Sequence, residues 1–201
     1  MIRTIFLTSL FFVFVHQSCF SQDSRETIEK AREKHEAFIS DPKNYRMDST
    51  ELAHFEGLDY FEFDSTYQIE ATFTKDIGKR FKMPTTTDRM PVYRRYGYVS
   101  FQRDSVSYTL TAYQNIQMRK EEGFEDYLFI PFRDATSRVT TYGGGRYLDL
   151  RIPEEETILL DFNLTYNPYC AYSHRFSCPI PPEENTLKVA IEAGEKIPLA
   201  H

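Results

Sequence analysis

Asp161 and Asn163 are the two polar residues best placed to carry out chemistry in this sequence. They lie two positions apart in the predicted strand 157–163, and residues two apart on a strand share one face. A carboxylate and an amide would therefore project together from the end of a strand, where they could bind a polar ligand. The alternative is structural: both side chains would cap the turn after the strand through hydrogen bonds to its backbone.

Arg146 follows three consecutive glycines at 143–145. Glycine lets another chain or a ligand approach closely, and an arginine beside such a turn can clamp a carboxylate or a phosphate. The glycine spacing differs from that of a phosphate-binding loop. The alternative is a tight turn between strands, in which Arg146 pairs with an acid such as Asp161 or Asp134.

The same residues would support a hydrolase. Asp161 would serve as general base or nucleophile, and Arg146 would stabilise negative charge in the transition state. Asp149 and Asp134 are the candidates for a second acid, but the sequence places neither of them opposite Asp161. Whether the protein is an enzyme therefore stays open at this point.

Cys170, His174 and Cys178 are spaced four residues apart, which suggests a metal site or a thiol nucleophile. Only three such ligands converge, and there is no second Cys/His pair to complete a tetrahedral site. An oxidising compartment would also leave few thiols unpaired. The sequence therefore predicts a disulfide between Cys170 and Cys178, with no metal and no cofactor.

The first 21 residues have the order of a secretory signal. Arg3 supplies a positive charge, residues 5–15 are almost wholly apolar, and small residues precede Gln22. We expect cleavage after Ser21, which leaves residues 22–201 as a single globular domain in the periplasm or outside the cell. In the alternative, Cys19 carries a lipid and anchors the protein to the outer membrane.

The charges are mixed along the chain and sum to −6, with no basic stripe. This pattern argues against a nucleic-acid partner. The membrane would be contacted only through the lipid anchor of the alternative just described.

The elements that must position these residues are mostly strands. One amphipathic helix is predicted over 24–39 and stops at Asp41-Pro42. Alternating apolar residues and an aromatic content of 15% then predict a mainly β fold. We expect an antiparallel sandwich or open barrel of about seven to eight strands, in which Pro131 makes 127–132 an edge strand or a bulge.

Several longer motifs resemble domain-of-unknown-function family 1684, an uncharacterised bacterial and archaeal family. The resemblance spans about residues 32–196, with one departure at Thr136-Ser137-Arg138, where members carry a glycine in the third position. It implies no activity, but members are often exported or lipid-anchored. The motifs are FEGLDYF at 55–61, PTTTDR at 84–89, YLFIPFRDAT at 127–136, TYGGGRYLD at 141–149, LDFNLTYNPYCAY at 160–172, CPIPPEEN at 178–185 and AGEK at 193–196.

The resemblance favours a ligand-binding site made of residues within these motifs, namely Arg146, Asp161, Asn163, Tyr166 and Asn167. We therefore expect an exported domain that binds a small polar ligand or an envelope partner. The aromatic residues of the sheet would supply stacking surfaces of the kind that suit sugars. The alternatives are the hydrolase and a purely structural envelope protein.

Overall fold

The computed structural model of the protein describes residues 10–43 and 47–199. It begins with two helices, α1 (Leu10–Ser40) and α2 (Ser49–His54). Seven strands follow, joined by loops and short 3-10 turns. They are β1 (Gln68–Lys75), β2 (Arg80–Lys82), β3 (Val92–Arg103), β4 (Val106–Asn115), β5 (Tyr127–Phe132), β6 (Arg146–Arg151) and β7 (Thr157–Asp161).

The strands form one antiparallel sheet in the order β6-β5-β4-β3-β1-β7, with β2 added alongside β3. The sheet curls into a half-barrel, which confirms the mainly β, open-barrel expectation. A register shift between Arg95 and Gly97 interrupts the longest pairing, that of β3 with β4. Such a bulge increases the local twist and helps a sheet to curl.

The largest core cluster is built from residues of β1, β3, β4, β5, β6 and β7. Val99, Leu110, Leu128 and Ile130 are completely buried. The last two come from β5, which is apolar throughout and buried along almost its whole length. β3 and β4 are joined by a two-residue hairpin turn. Asp104 and Ser105 have φ values of 52° and 63° there, the left-handed pair of a type I′ turn, formed without glycine.

Helix α1 ends at Ser40, immediately before Asp41-Pro42, as predicted. The prediction that it starts near residue 24 is wrong, because the helix already begins at Leu10. The sequence has no glycine or proline between these positions that would interrupt it. Residues 1–9 of the predicted signal lie outside the described residues. A helix through Cys19 and Ser21 tests neither cleavage after Ser21 nor lipidation of Cys19, so both stay predictions.

Within the described residues, no helix combines the length and the apolar character that crossing a membrane requires.

Strand β5 lies inside the sheet, between β4 and β6, so the expectation of an edge strand is wrong. Pro131 does weaken its pairing with β4, which is limited to Tyr113 and Phe129. The side chain of Asn185 compensates. Its amide nitrogen donates to Pro131 O at 2.8 Å and Thr111 O at 2.9 Å, and its oxygen accepts from Thr111 N at 2.8 Å. An amide side chain thus replaces the missing part of the ladder.

The segment after β7 is irregular, because prolines recur along it and interrupt strand pairing. It crosses to the β6 edge, where Tyr166 and Tyr147 exchange backbone hydrogen bonds at 3.0 Å and 2.8 Å. Its last part returns to the core, and Ile191 and Ala193 are fully buried there. This crossing segment, β6 and α1 together position the polar residues described next.

Candidate functional site

Asp161 caps the 3-10 turn Phe162–Leu164 that follows β7. Its Oδ1 accepts from the backbone N–H and from Nδ2 of Asn163, both at 2.9 Å, and its Oδ2 accepts from Gln68 Nε2 at 2.8 Å. Asn163 is fully buried and exchanges two further hydrogen bonds with the backbone of Asp64. The two side chains do meet, but the predicted shared strand face is wrong, because β7 ends at Asp161 and Asn163 lies in the 3-10 turn. Their hydrogen bonds are those of the capping alternative.

Arg146 is buried at 1% exposure and holds the last part of the chain in place. Its terminal nitrogens donate to Asp134 Oδ2 at 3.1 Å and to three backbone carbonyls. Burial lowers the pKa of Arg146, and the neighbouring carboxylate of Asp134 opposes that shift. The three backbone carbonyls that accept hydrogen bonds from Arg146 are those of Ile191 at 2.7 Å, Ala193 at 2.5 Å and Glu195 at 3.2 Å.

Arg146 and Asp161 therefore do not lie in one site. Arg146 starts β6 and Asp161 ends β7, and these strands stand at the two ends of the strand order. Asp134 is the acid that pairs with Arg146, as one branch of the turn alternative predicted. Both terminal nitrogens of Arg146 are engaged inside the protein, so the predicted Arg146/Asp161/Asn163 cluster is not a single surface.

Asn167 belongs to a buried network with Glu195. Its backbone N–H donates to Glu195 Oε2 at 2.9 Å, and its Nδ2 donates to Glu195 Oε1 at 3.0 Å and Lys196 O at 2.7 Å. Both Asn167 and Glu195 are 0% exposed. Burial raises the pKa of Glu195 to about 8, so the carboxyl is mostly protonated at neutral pH.

A cavity of about 290 Å³ opens between α1 and the crossing segment, and it contains Tyr166. We call it the Asp149 pocket, because Asp149 is its carboxylate. Of the predicted site residues, Tyr166 and Asn163 line it, whereas Arg146, Asp161 and Asn167 do not. Its polar and aromatic lining consists of Arg32, His35, Tyr60, Asp149, Tyr166 and Tyr169.

Asp149 is exposed at the pocket and is oriented by two tyrosines. Tyr127 and Tyr166 donate their hydroxyls to the same oxygen, Oδ1, at 2.7 Å and 2.8 Å. Burial raises the pKa of both tyrosines, so their hydroxyls keep the protons that they donate. No residue in the described part of the chain donates to Oδ2, which leaves that oxygen available to a ligand.

Arg32 of α1 forms another wall of the pocket. Its guanidinium lies over the ring of Tyr60, with Cζ 4.6 Å from the centroid, and donates to Phe61 O at 3.0 Å and Asn163 O at 3.3 Å. Its Nε is buried and has no hydrogen-bond partner among the described residues. Arg32 therefore ties the helix to the loops on both sides of the pocket.

His35 closes the inner end of the pocket, against Tyr166 and Tyr169. The ring centroids lie 5.4 Å and 6.4 Å from that of His35. Its Nε2 is 3.9 Å from Glu195 Oε2, too far for a hydrogen bond, and it has no other partner in the described part of the chain. Burial lowers the pKa of His35 to about 4, so the ring is neutral at pH 7.

Cys170 and Cys178 lie side by side and are both free thiols in this structure. The backbone N–H of Cys170 donates to Cys178 Sγ at 3.2 Å, and the two side chains hydrogen bond to each other. This proximity is what a disulfide would require, so the predicted disulfide stays a prediction. Among the described residues, no group of three or more Cys, His, Asp or Glu is arranged to hold a metal ion.

Sequence reasoning missed most of the pocket. His35 lies on the apolar stripe of α1, where a packed histidine is the ordinary interpretation. The sequence indicates Asp149 only as a possible second acid for a hydrolase. The sequence gives little indication that these residues meet, because Arg32 and His35 are more than 100 residues from Asp149 and Tyr166 in the chain.

Comparison with known proteins confirms the family resemblance. A family model described as "Protein of unknown function (DUF1684)" matches residues 53–196. The chain is similar to the solution NMR structure of an uncharacterised protein from Haloarcula marismortui, with a TM-score of 0.68 and 36% sequence identity. That match covers 90% of this chain and 98% of the other. No curated protein matches the chain.

Proposed function

The chain belongs to this family of unknown function, and we propose that its domain binds a small, hydroxyl-bearing ligand such as a sugar in the Asp149 pocket. The observation that carries the proposal is the carboxylate of Asp149, whose Oδ1 is fixed by two tyrosine hydroxyls and whose Oδ2 accepts no hydrogen bond from the described residues. A carboxylate accepts hydrogen bonds strongly from ligand hydroxyls.

The walls of the pocket support the same class of ligand. Tyr60, Tyr166 and Tyr169 provide aromatic surface around Asp149, and such surface packs well against the carbon face of a sugar ring. A volume of about 290 Å³ lies just below the range of about 300–1,000 Å³ found for ligand sites. The pocket therefore suits a single small ring rather than an extended chain.

Export is part of the proposal. The charged, apolar and small-residue order of residues 1–21 supports secretion to the periplasm or the medium, and Cys19 supports the lipid-anchored alternative. An envelope protein remains the second class of partner. The hydrolase alternative gains no support from this geometry, because the oxygens of Asp161 are engaged in capping and Arg146 is buried elsewhere.

A thermal-shift screen of the purified protein against monosaccharides, amino sugars, polyols and organic acids tests the proposal. A ligand at 100 times its dissociation constant adds about 2.7 kcal/mol to the free energy of unfolding, which a melting curve resolves. We expect hits among neutral or amine-bearing sugars and none among organic acids, which Asp149 would repel. Hits confined to organic acids would overturn the assignment, and a flat screen would favour the envelope partner.

A further inference from the structure

A second cavity, of about 250 Å³, contains both free cysteines. We call it the thiol pocket, and it lies where the glycine turn at 143–145 meets the crossing segment. Its reactive and charged lining consists of Arg133, Arg138, Tyr142, Cys170 and Cys178. None of these residues belongs to the Asp149 pocket.

The two thiols differ in their surroundings. Cys178 is 6% exposed, whereas Cys170 is only partly buried. Hydrogen bonds from Cys178, Thr86 and Tyr142 lower the pKa of Cys170 to about 7. The hydrogen bond to Cys170 and burial raise the pKa of Cys178. Cys170 is therefore the nucleophilic thiol of the pair, since the thiolate is the reactive form.

Two arginines face the same cavity without a carboxylate partner among the described residues. Arg133 donates to Pro181 O at 3.0 Å, and the guanidinium of the exposed Arg138 makes no hydrogen bond to the described residues. Arg138 also has a φ of 71°, in the left-handed region that favours glycine. Gly143 lets this arginine pack closely, because a Cβ there would lie 2.7 Å from Arg138 Cγ.

We propose that Cys170 and Cys178 form a thiol–disulfide exchange site whose substrate is a small disulfide carrying carboxylate groups. The geometry supplies each part: a partly exposed thiol, a second thiol in contact with it, a cavity beside them, and two guanidinium groups for the carboxylates.

The reaction balances as two successive exchanges. The Cys170 thiolate attacks one sulfur of the substrate, which forms a mixed disulfide and releases the other half as a thiol after protonation. Cys178 then loses its proton and attacks the sulfur of Cys170, which closes the Cys170–Cys178 disulfide and releases the second half as a thiol. The two protein thiols are oxidised by two electrons, and the substrate disulfide is reduced to two thiols.

The environment of Cys178 suits the second step. In the reduced protein its proton is held by the hydrogen bond to Cys170. Once Cys170 is part of a mixed disulfide it no longer carries negative charge, so that constraint on Cys178 disappears. The predicted disulfide is then the product of exchange rather than a permanent crosslink.

The test uses the chain with Cys19→Ser, reduced and freed of reductant, and the probe dithiobis-nitrobenzoate, a disulfide with two carboxylates that releases a coloured thiol. The folded protein is expected to release two equivalents and to end with no mass adduct. Cys178→Ser should release one equivalent and keep the adduct. Cys170→Ser should react at least tenfold more slowly, because its remaining thiol is buried. Melting curves confirm that both variants are folded.

The carboxylate part of the proposal has its own control. Arg138→Gln should slow the reaction with the dicarboxylate probe at least threefold but leave the reaction with uncharged hydroxyethyl disulfide unchanged, whereas Arg138→Lys should keep both rates. Equal effects on the two probes would overturn the role of Arg138. Release only after a denaturant is added, or a pair that cannot be reduced in the folded protein, would overturn the exchange site and leave a structural disulfide.

Discussion

Glu195→Gln is expected to change how the stability of the protein depends on pH. Glu195 is fully buried, both its oxygens accept hydrogen bonds from Asn167, and burial raises its pKa from 4.5 to about 8. Between these two values the folded protein holds a proton that the unfolded chain releases. The contribution of Glu195 to the free energy of unfolding therefore falls as pH rises from about 4.5 to about 8.

The size of this change in the free energy of unfolding follows from the linkage between proton binding and folding. One proton taken up preferentially by the folded state changes the free energy of unfolding by about 1.4 kcal/mol for each pH unit. Glutamine resembles the protonated carboxyl and does not titrate. The stability of Glu195→Gln relative to the native chain should therefore rise by roughly 2.5 kcal/mol between pH 5.5 and 7.5.

His35 has the opposite dependence. Its pKa is lowered from 6.5 to about 4, so its contribution to stability is lost as pH falls through that interval. Between about pH 4.5 and 6.5 the contributions of Glu195 and His35 to the free energy of unfolding change in opposite directions and largely cancel in the native chain. The lowered pKa of Cys170 affects the free energy of unfolding only from about pH 7 upward. The difference between variant and native protein removes these shared terms and isolates Glu195.

Urea unfolding of both proteins at half-unit pH steps measures this difference. Glu192→Gln is the matched control, because Glu192 is exposed on the same segment. A difference between Glu195→Gln and the native chain that stays constant from pH 5.5 to 7.5 would show that Glu195 is ionised in the folded protein, and would refute the reasoning.

Two further predictions concern the residues that fix the crossing segment. Arg146→Met should destabilise the fold by about 3–5 kcal/mol, because it leaves Asp134 buried and unpaired, whereas Arg151→Met, at an exposed ion pair, should cost about 1 kcal/mol or less. Equal losses in urea unfolding would contradict this account. Gly194→Ala should cost about 2 kcal/mol or more, because φ is +74° and the new Cβ would overlap the hydroxyl of Thr165. An unchanged melting temperature would contradict that expectation.

The strands were predictable because half-buried strands alternate in polarity. Ala71 and Phe73 are buried in β1 and the intervening Thr72 is exposed, which is the pattern that the sequence shows. Strand order was not predictable in the same way. β6 and β7 are neighbours in the chain but stand at opposite ends of the sheet, so proximity in sequence wrongly suggested that Arg146 and Asp161 share a site.

The Asp149 pocket could not be predicted from the sequence for a related reason. It forms where α1 packs against the crossing segment, and the contact of Arg32 with Asn163 spans 131 positions. No periodicity within a single segment reports such a contact. Contacts between residues close in sequence were easier to predict. The sequence indicates that Asp161 and Asn163 lie together, and capping is one of its two interpretations.

The central claim, that Asp149 binds the ligand, is tested most directly by calorimetric titration of a ligand found in the screen into the native protein, Asp149→Asn and Asp88→Asn. Asparagine retains an acceptor for the hydroxyls of Tyr127 and Tyr166 but replaces Oδ2 with a donor. Asp88 is an exposed aspartate outside the pocket and provides the matched control. We expect Asp149→Asn to weaken binding about 10- to 150-fold, the loss of one hydrogen bond to a charged group, and Asp88→Asn to bind like the native protein. Equal affinities in all three proteins would contradict the claim.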